Sequence, residues 1–171
     1  MKVVIIAGGS GTRLWPLSTP DFPKHLLSVN GDSDTLVQKT YQRAKSIGDE
    51  VYVLTEVSHA HHVKQQIPEL NDDNFIIEPA RRGTASCIIA ALAKLSKIID
   101  NDEPIAFLVA DHYIRDVNGF RNSFRLANEV SKKYSKITLV GIEPDYPATG
   151  FGYIEKDNVI EDLKLVYSVK A

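Results

Sequence analysis

The sequence predicts an α/β fold: a doubly wound, mostly parallel sheet with an antiparallel extension at its C-terminal end. Three observations predict it. Short runs rich in Val and Ile recur at Val3–Ala7, Val51–Thr55, Phe75–Glu78, Ile105–Ala110 and Ile137–Ile142, each too short for a helix. Segments with helical periodicity lie between them. The strand runs are near-continuously apolar, as expected when helices cover both faces of a parallel sheet.

Each element follows in order. Val3–Ala7 is a five-residue apolar run behind a single lysine, shorter than the ~7–15 residues of a signal-peptide core, and reads as the first strand. In the first helical segment Leu36, Thr40, Ala44 and Ile47 share one face, with Val37 and Tyr41 beside it. The second runs from about Ser58, a candidate N-cap, to Ile67, before Pro68. The third repeats Ile88, Leu92, Leu95 and Ile99 behind a candidate Thr84 cap. The fourth carries Phe120, Phe124, Ala127, Val130 and Tyr134. From Glu143 to Gly150 two prolines and a glycine mark a loop. Phe151–Lys156 and Leu165–Val169 then alternate around a polar Lys156-Asp157-Asn158 centre, which predicts a hairpin. An apolar strand at the end of a chain calls for a partner, in further chain, at a sheet edge or in another subunit as a homodimer.

Composition bounds the function. The 171 residues are 43% hydrophobic and 25% charged, enough apolar surface for a core and consistent with one domain over 1–171. The formal charge is −2 and the cations are scattered, which argues against a nucleic-acid partner. No apolar run reaches the ~18 residues of a membrane span, so no membrane partner is expected. A single cysteine, Cys87, excludes an intrachain disulfide and makes the cytoplasm the default compartment. Cys87 reads as a small buried hydrophobe.

Chemistry concentrates after the first strand, in Ala7-Gly8-Gly9-Ser10-Gly11-Thr12-Arg13-Leu14-Trp15-Pro16-Leu17-Ser18. Ligands of open parallel sheets bind beyond the carboxyl ends of the strands. The glycines permit positive φ and close approach, and successive N–H groups there form an anion nest. Arg13 supplies a planar cationic fork, and Lys24, after Pro23, a point charge. No Lys-Ser or Lys-Thr follows the glycines, which excludes a P-loop, and Leu14 stands where a dinucleotide fingerprint needs its third glycine. The remaining alternative is a plain tight turn. Among the histidines, His59 and His62 share a helix face near His61, but no carboxylate or cysteine stands at ligand spacing, so a solvated face is expected over a metal cluster.

Gly-Gly-Ser-Gly-Thr-Arg-Leu-Trp-Pro-Leu-Ser, followed by Pro23-Lys24-His25-Leu26-Leu27, closely resembles the signature of the mannose-1-phosphate guanylyltransferases, a branch of the nucleotide-sugar pyrophosphorylases with a GT-A-like nucleotidyltransferase fold. Glu78-Pro79, with Arg82-Gly83-Thr84-Ala85 after it, resembles the family's guanine-holding Glu-Pro-x-x-Arg-Asn-Thr-Ala-Pro-Ala, departing at Gly83, Ser86 and Cys87. Ala110-Asp111-His112 resembles its metal-binding segment. Pro147-Ala148-Thr149-Gly150-Phe151-Gly152-Tyr153-Ile154 resembles the stretch that admits the sugar phosphate.

The resemblance implies conversion of GTP and mannose 1-phosphate to GDP-mannose and pyrophosphate, with Mg2+ as cofactor. Arg13 and Lys24 would be catalytic. Ala7, Gly8, Gly9, Ser10, Gly11, Thr12, Arg13, Glu78, Pro79, Thr84 and Ala85 would bind nucleotide. Thr149, Gly150, Gly152 and Tyr153 would bind the sugar phosphate, and Asp111 the metal. Asp116 also matches a family acid and is expected to be structural. The family's later Glu-Lys-Pro segment and second metal acid have no counterpart in this sequence, which suggests the N-terminal, nucleotide-binding part of such an enzyme. Alternatives are a nucleotide-binding module without turnover, a pyrophosphorylase for another sugar and nucleotide, and, least supported, a dehydrogenase.

Overall fold

A computed structural model describes residues 1–9, 14–80, 82–160, 163 and 165–170. They fall into two compact units, Met1–Thr138 and Leu139–Ala171. In the first unit the elements are β1 (Lys2–Ala7), α1 (Leu36–Lys45), β2 (Glu50–Glu56), α2 (Val57–Gln66), β3 (Phe75–Glu78), α3 (Thr84–Leu95), β4 (Ile105–Val109) and α4 (Val117–Tyr134). The four strands are all parallel, in the order β3-β2-β1-β4. The first four predicted strand runs therefore form the sheet, with β1 at its centre between Val51 and Ala106 at the level of Val3.

The period of two along β1 divides the core. Val3, Ile5 and Ala7 face one layer with Val51, Val53, Phe75, Ala106 and Leu108, packed against Val37 and Ala44 of α1, Val63 of α2 and Ile67 just after it, and Phe120 and Phe124 of α4. Val4 faces the other layer with Tyr52, Leu54 and Ile76, packed against Cys87, Ala91 and Leu95 of α3. Helices thus cover both faces, and the sheet is doubly wound. Each fully buried Val, Leu or Ile contributes about 1.5–3 kcal/mol from burial.

Local chemistry sets the helix starts. Thr35 and Gln38 form a reciprocal capping box on α1: Gln38 Oε1 accepts from the Thr35 N–H at 2.9 Å, and Thr35 Oγ1 accepts from the Gln38 N–H at 3.4 Å. The cap of α2 lies two residues earlier than expected, at Glu56 rather than Ser58, because the chain turns directly from β2 into the helix. α3 starts behind Gly83, whose φ of 86° lies in the left-handed region that favours glycine. Thr84 is accordingly the first helical residue and not the cap. The buried stripe of α3 is Cys87, Ala91 and Leu95, while Leu92 is 43% exposed, since small residues allow the close approach to the sheet. Asp116 caps α4, its Oδ1 accepting from the Gly119 N–H at 2.8 Å, which is the structural role expected of it.

Two expectations about strands are also corrected. Ile137–Ile142 forms no strand: Ile137 and Ile142 are 94% and 79% exposed. β propensity reports how well a side chain packs on a paired, half-buried surface, and no strand among the described residues pairs with this run. In the second unit, β5 (Lys156–Val159) and β6 (Tyr167–Val169) do form an antiparallel pair, with Lys156 opposite Val169 and Val159 opposite Tyr167. The first strand is not Phe151–Lys156, however. It runs through the Lys156-Asp157-Asn158 stretch expected at the centre, and the reversal lies beyond it, closed by the Ile160 N–H donating to Val166 O at 2.9 Å. Strand β5 is exposed throughout, so no buried face specifies its register. No helix among the described residues is long and apolar enough to cross a membrane.

Candidate functional site

The site begins where β1 ends. Ala7 is fully buried, and its carbonyl accepts from Thr55 Oγ1 at 3.0 Å, which ties the strand end to β2. Gly8 and Gly9 then emerge exposed. Gly9 has φ 110°, and among the described residues nothing lies within 4 Å of where a Cβ would stand on either glycine. Among the described residues this backbone is open to a ligand, and at Gly9 its conformation is one that a side chain would strain. Ser10, Gly11, Thr12 and Arg13 lie outside the described residues.

The neighbouring strand brings the carboxylate. Ile6 stands opposite Val109, and the Ala110 N–H donates to Ile6 O at 3.0 Å, so Gly8 and Asp111 leave adjacent strands at the same level. Lys24 arrives from a separate segment: Pro23 leads into a 3-10 turn, Lys24–Leu26, anchored by the buried His25 and Leu26. Lys24 Nζ lies 3.6 Å from Asp111 Oδ2, with the two side chains 37% and 47% exposed. A pair this exposed contributes only ~0–1 kcal/mol to stability, so it does not hold the fold together. The sheet and the lysine turn therefore bring Gly8, Gly9, Lys24 and Asp111 to one edge.

The base-binding candidates stand two strands away, roughly 10 Å across the sheet at the usual interstrand spacing. Glu78 ends β3 but is buried, and its Oε2 accepts from the Cys87 thiol at 3.3 Å. Burial, and then this carboxylate, push the Cys87 thiol up to about 11. The Glu78 side chain is thus held against α3, while Pro79, Thr84 and Ala85 are exposed. The first N–H groups of α3 have no intrahelical acceptors. Thr149, Gly150, Gly152 and Tyr153 belong to the second unit. Thr149 and Tyr153 line an open hollow of about 710 Å³ with Tyr146 and Phe151, and Tyr153 Oη donates to Ala148 O at 2.9 Å.

Several residues that support this edge escaped the sequence reading. His59 is buried, not solvated: its Nε2 lies 2.6 Å from Pro20 O, its Nδ1 lies 3.0 Å from Glu56 Oε1, and its ring meets that of His25 edge-on at 5.8 Å. Gln66 Nε2 donates to Leu26 O at 3.1 Å. Helix α2 thus holds both ends of the segment that carries Lys24. Helix α1 holds the other side. Thr40 Oγ1 donates to Ala110 O at 3.4 Å, and Arg43 Nη2 donates to Thr40 Oγ1 at 2.7 Å and to His112 O at 3.0 Å. Arg43 is buried, its guanidinium lies 5.8 Å from the Phe120 ring centre, and desolvation lowers its pKa from the ordinary arginine value. The available signal was a polar pair, Thr40 and Arg43, one turn apart on the face that also carries Leu36 and Ala44.

Comparison with known proteins agrees with this reading. The chain is 36% identical over 163 residues to a mannose-1-phosphate guanylyltransferase of Escherichia coli, covering 93% of this chain and 35% of that protein. It is 40% identical over 161 residues to one of Salmonella typhimurium, covering 92% and 33%. The chain therefore spans about a third of the length of the curated relatives it matches. Its fold is similar to that of a mannose-6-phosphate isomerase from Helicobacter pylori, with a TM-score of 0.66 at 23% identity over 92% of this chain and 57% of that one. The model of the nucleotidyl transferase family matches residues 2–166. A match over nearly the whole chain, on a doubly wound sheet whose glycine turn, lysine and carboxylate meet at one edge, establishes that this chain belongs to the nucleotidyl transferase family.

Proposed function

We propose that this protein works as a mannose-1-phosphate guanylyltransferase, joining GTP and mannose 1-phosphate to give GDP-mannose and pyrophosphate. The observation that carries the reading is the meeting of Lys24 and Asp111, 3.6 Å apart, beside the open Gly8–Gly9 turn. A cation and an anion that contribute little to stability there are arranged for a ligand carrying both negative charge and a metal ion.

A phosphate oxygen of mannose 1-phosphate attacks the α-phosphorus of GTP. One P–O bond forms, the α–β bridging P–O bond breaks, and the electron pair leaves with pyrophosphate. Such transfers depend on positioning and charge stabilisation. The N–H groups of the glycine turn cradle phosphate oxygens, Arg13 grips the departing β,γ-phosphates, and Lys24 neutralises charge at the α-phosphate. Asp111 fits Mg2+: it is a half-exposed carboxylate with hard oxygens, and Mg2+ is commonly held by one or two carboxylates plus substrate phosphates. When bound, Mg2+ supplies charge neutralisation across the phosphates. Glu78, Pro79, Thr84 and Ala85 form the base subsite, with the Pro79 segment and the exposed N–H groups at the start of α3 toward the base and the Glu78 carboxylate held back by Cys87. Thr149, Gly150, Gly152 and Tyr153 receive the sugar phosphate.

Pyrophosphate release measured with Mg2+ tests the reading. Mannose 1-phosphate with GTP is expected to be the best pair, and a preference for glucose 1-phosphate with TTP would overturn it. A second reading is a nucleotide-binding module without turnover, since the Gly8–Gly9 turn, Lys24 and Asp111 suit phosphate binding whether or not chemistry follows. It predicts GTP binding by calorimetry with no product formed.

A further inference from the structure

The carbonyls on both sides of Asp111 are held by one helix. Thr40 Oγ1 donates to the carbonyl of Ala110, before Asp111, and Arg43 Nη2 donates to the carbonyl of His112, after it. The same Nη2 donates to Thr40 Oγ1, so the three bonds form one connected chain running from α1 to the turn. We propose that Thr40 and Arg43 are positioning residues that fix the Asp111 backbone, so that its carboxylate is presented in one orientation to a divalent cation bound with nucleotide. The inference rests on the reading of Asp111 as the metal carboxylate.

The chemistry of Arg43 argues for a dedicated role. Burying a guanidinium is costly unless its donors are satisfied and its charge is answered. Arg43 is 7% exposed, its Nε has no partner, and no carboxylate pairs with it among the described residues. A side chain of similar volume without charge would fill the space beside Phe120 at less cost. What only Arg43 provides there is a rigid cationic donor that reaches a hydroxyl and a carbonyl together. Those two acceptors belong to Thr40 and His112, and Thr40 relays the contact to Ala110. Asp111 itself takes no bond from α1, and among the described residues its half-exposed carboxylate has Lys24 as charged neighbour. Bonds chained in this way polarise and reinforce one another, so each member depends on the next.

The test measures the metal directly. Free Mn2+ is followed by electron paramagnetic resonance as it binds this chain with GTP, GTP affinity is measured by calorimetry in EDTA, and thermal unfolding is followed by circular dichroism. Thr40→Val and Arg43→Lys should each weaken Mn2+ binding about three- to tenfold, the effect of losing one orienting hydrogen bond, with GTP affinity in EDTA unchanged. Thr40→Ser keeps the hydroxyl and should restore Mn2+ binding. A purely structural role would lower the unfolding temperature of Thr40→Val and leave Mn2+ affinity untouched, which would overturn the proposal. Asp111→Asn separates the two levels. If it leaves Mn2+ binding unchanged, the metal reading of Asp111 fails and the proposal with it. If it abolishes Mn2+ binding while Thr40→Val and Arg43→Lys do not weaken it, the positioning inference alone fails. Should Arg43→Lys not fold, the Thr40→Val and Thr40→Ser pair decides.

Discussion

Lys24 and Asp111 face each other at a distance where a salt bridge is expected, yet both are substantially exposed. A triphosphate with its metal would draw them apart, Lys24 to phosphate and Asp111 to the cation. Lys24→Ala should therefore leave the fold intact and weaken GTP binding with Mg2+ by roughly ten- to a hundredfold, the scale of one charge-assisted hydrogen bond. Arg13→Ala should do the same, and Arg13→Lys should rescue it only in part, because the ammonium lacks the guanidinium's fork. GTP titration at fixed salt checks all three; unchanged affinity in both alanine variants would sink the phosphate role of this edge. Cys87 makes a different prediction. Its thiol is pushed from 9.0 to about 11 in the folded chain, so between these values the native state retains a proton that the unfolded state has lost. Stability from this group is complete below about pH 9 and falls as pH rises toward 11. Cys87→Ala should flatten that part of a urea-denaturation profile. Tyr52, raised to about 12 mainly by burial, adds a similar loss only above its ordinary value of 10.0.

At the scale of elements, the site depends on how α1 and α2 are anchored to the segments they support. Thr35 caps α1 through its box with Gln38, and its hydroxyl also lies 2.7 Å from Gln66 Oε1 near the end of α2. Gln66 in turn holds Leu26 O, and Gln38 Nε2 holds Gln66 O at 2.9 Å. The start of α1, the end of α2 and the lysine turn are therefore one hydrogen-bonded unit. Thr35→Ala should cost about 1 kcal/mol in chemical denaturation, the usual effect of losing an N-cap. Thr35→Ser, which keeps the cap, should cost less. The β4 side depends on packing of α4: the rings of Phe120 and Phe124 meet at 4.6 Å between centres, tilted by 41°, and join the same core layer as α1.

At the scale of the whole chain, the parallel sheet supplies rigidity and one edge gathers the candidate site residues Gly8, Gly9, Lys24 and Asp111. Ile5 is fully buried in the central strand between β2 and β4. Ile5→Ala should cost ~2–5 kcal/mol, through lost burial and the cavity left behind, and should lower the midpoint of urea unfolding without changing its slope. Since β1 carries Ala7 directly into the glycine turn, the same substitution should also weaken GTP binding in proportion to the unfolded fraction. A loss of binding well beyond that fraction would mean that Ile5 shapes the turn as well as the core.

Much of this was legible in sequence because it depends on local pattern. Four apolar runs became β1 to β4, since a strand flanked by two others is buried on both faces and must be apolar along its length. The glycine turn was legible because backbone freedom is encoded in the residues that allow it, and the motifs at Lys24 and Asp111 carried the family resemblance. Contacts between distant segments were not legible. That His59 is a buried strut to Pro20, that Glu78 turns to Cys87, and that Thr40 and Arg43 hold the carbonyls flanking Asp111 follow from packing that joins residues up to 70 positions apart. The run Ile137–Ile142 shows the same division from the other side: its residues have strand character, but a strand exists only where another backbone pairs with it. Sequence alone determined which segments could form the sheet and which residues had the chemistry for phosphate and metal. Tertiary structure decided which of them meet, because hydrogen bonds and burial are properties of pairs, and the pairs are chosen by the fold.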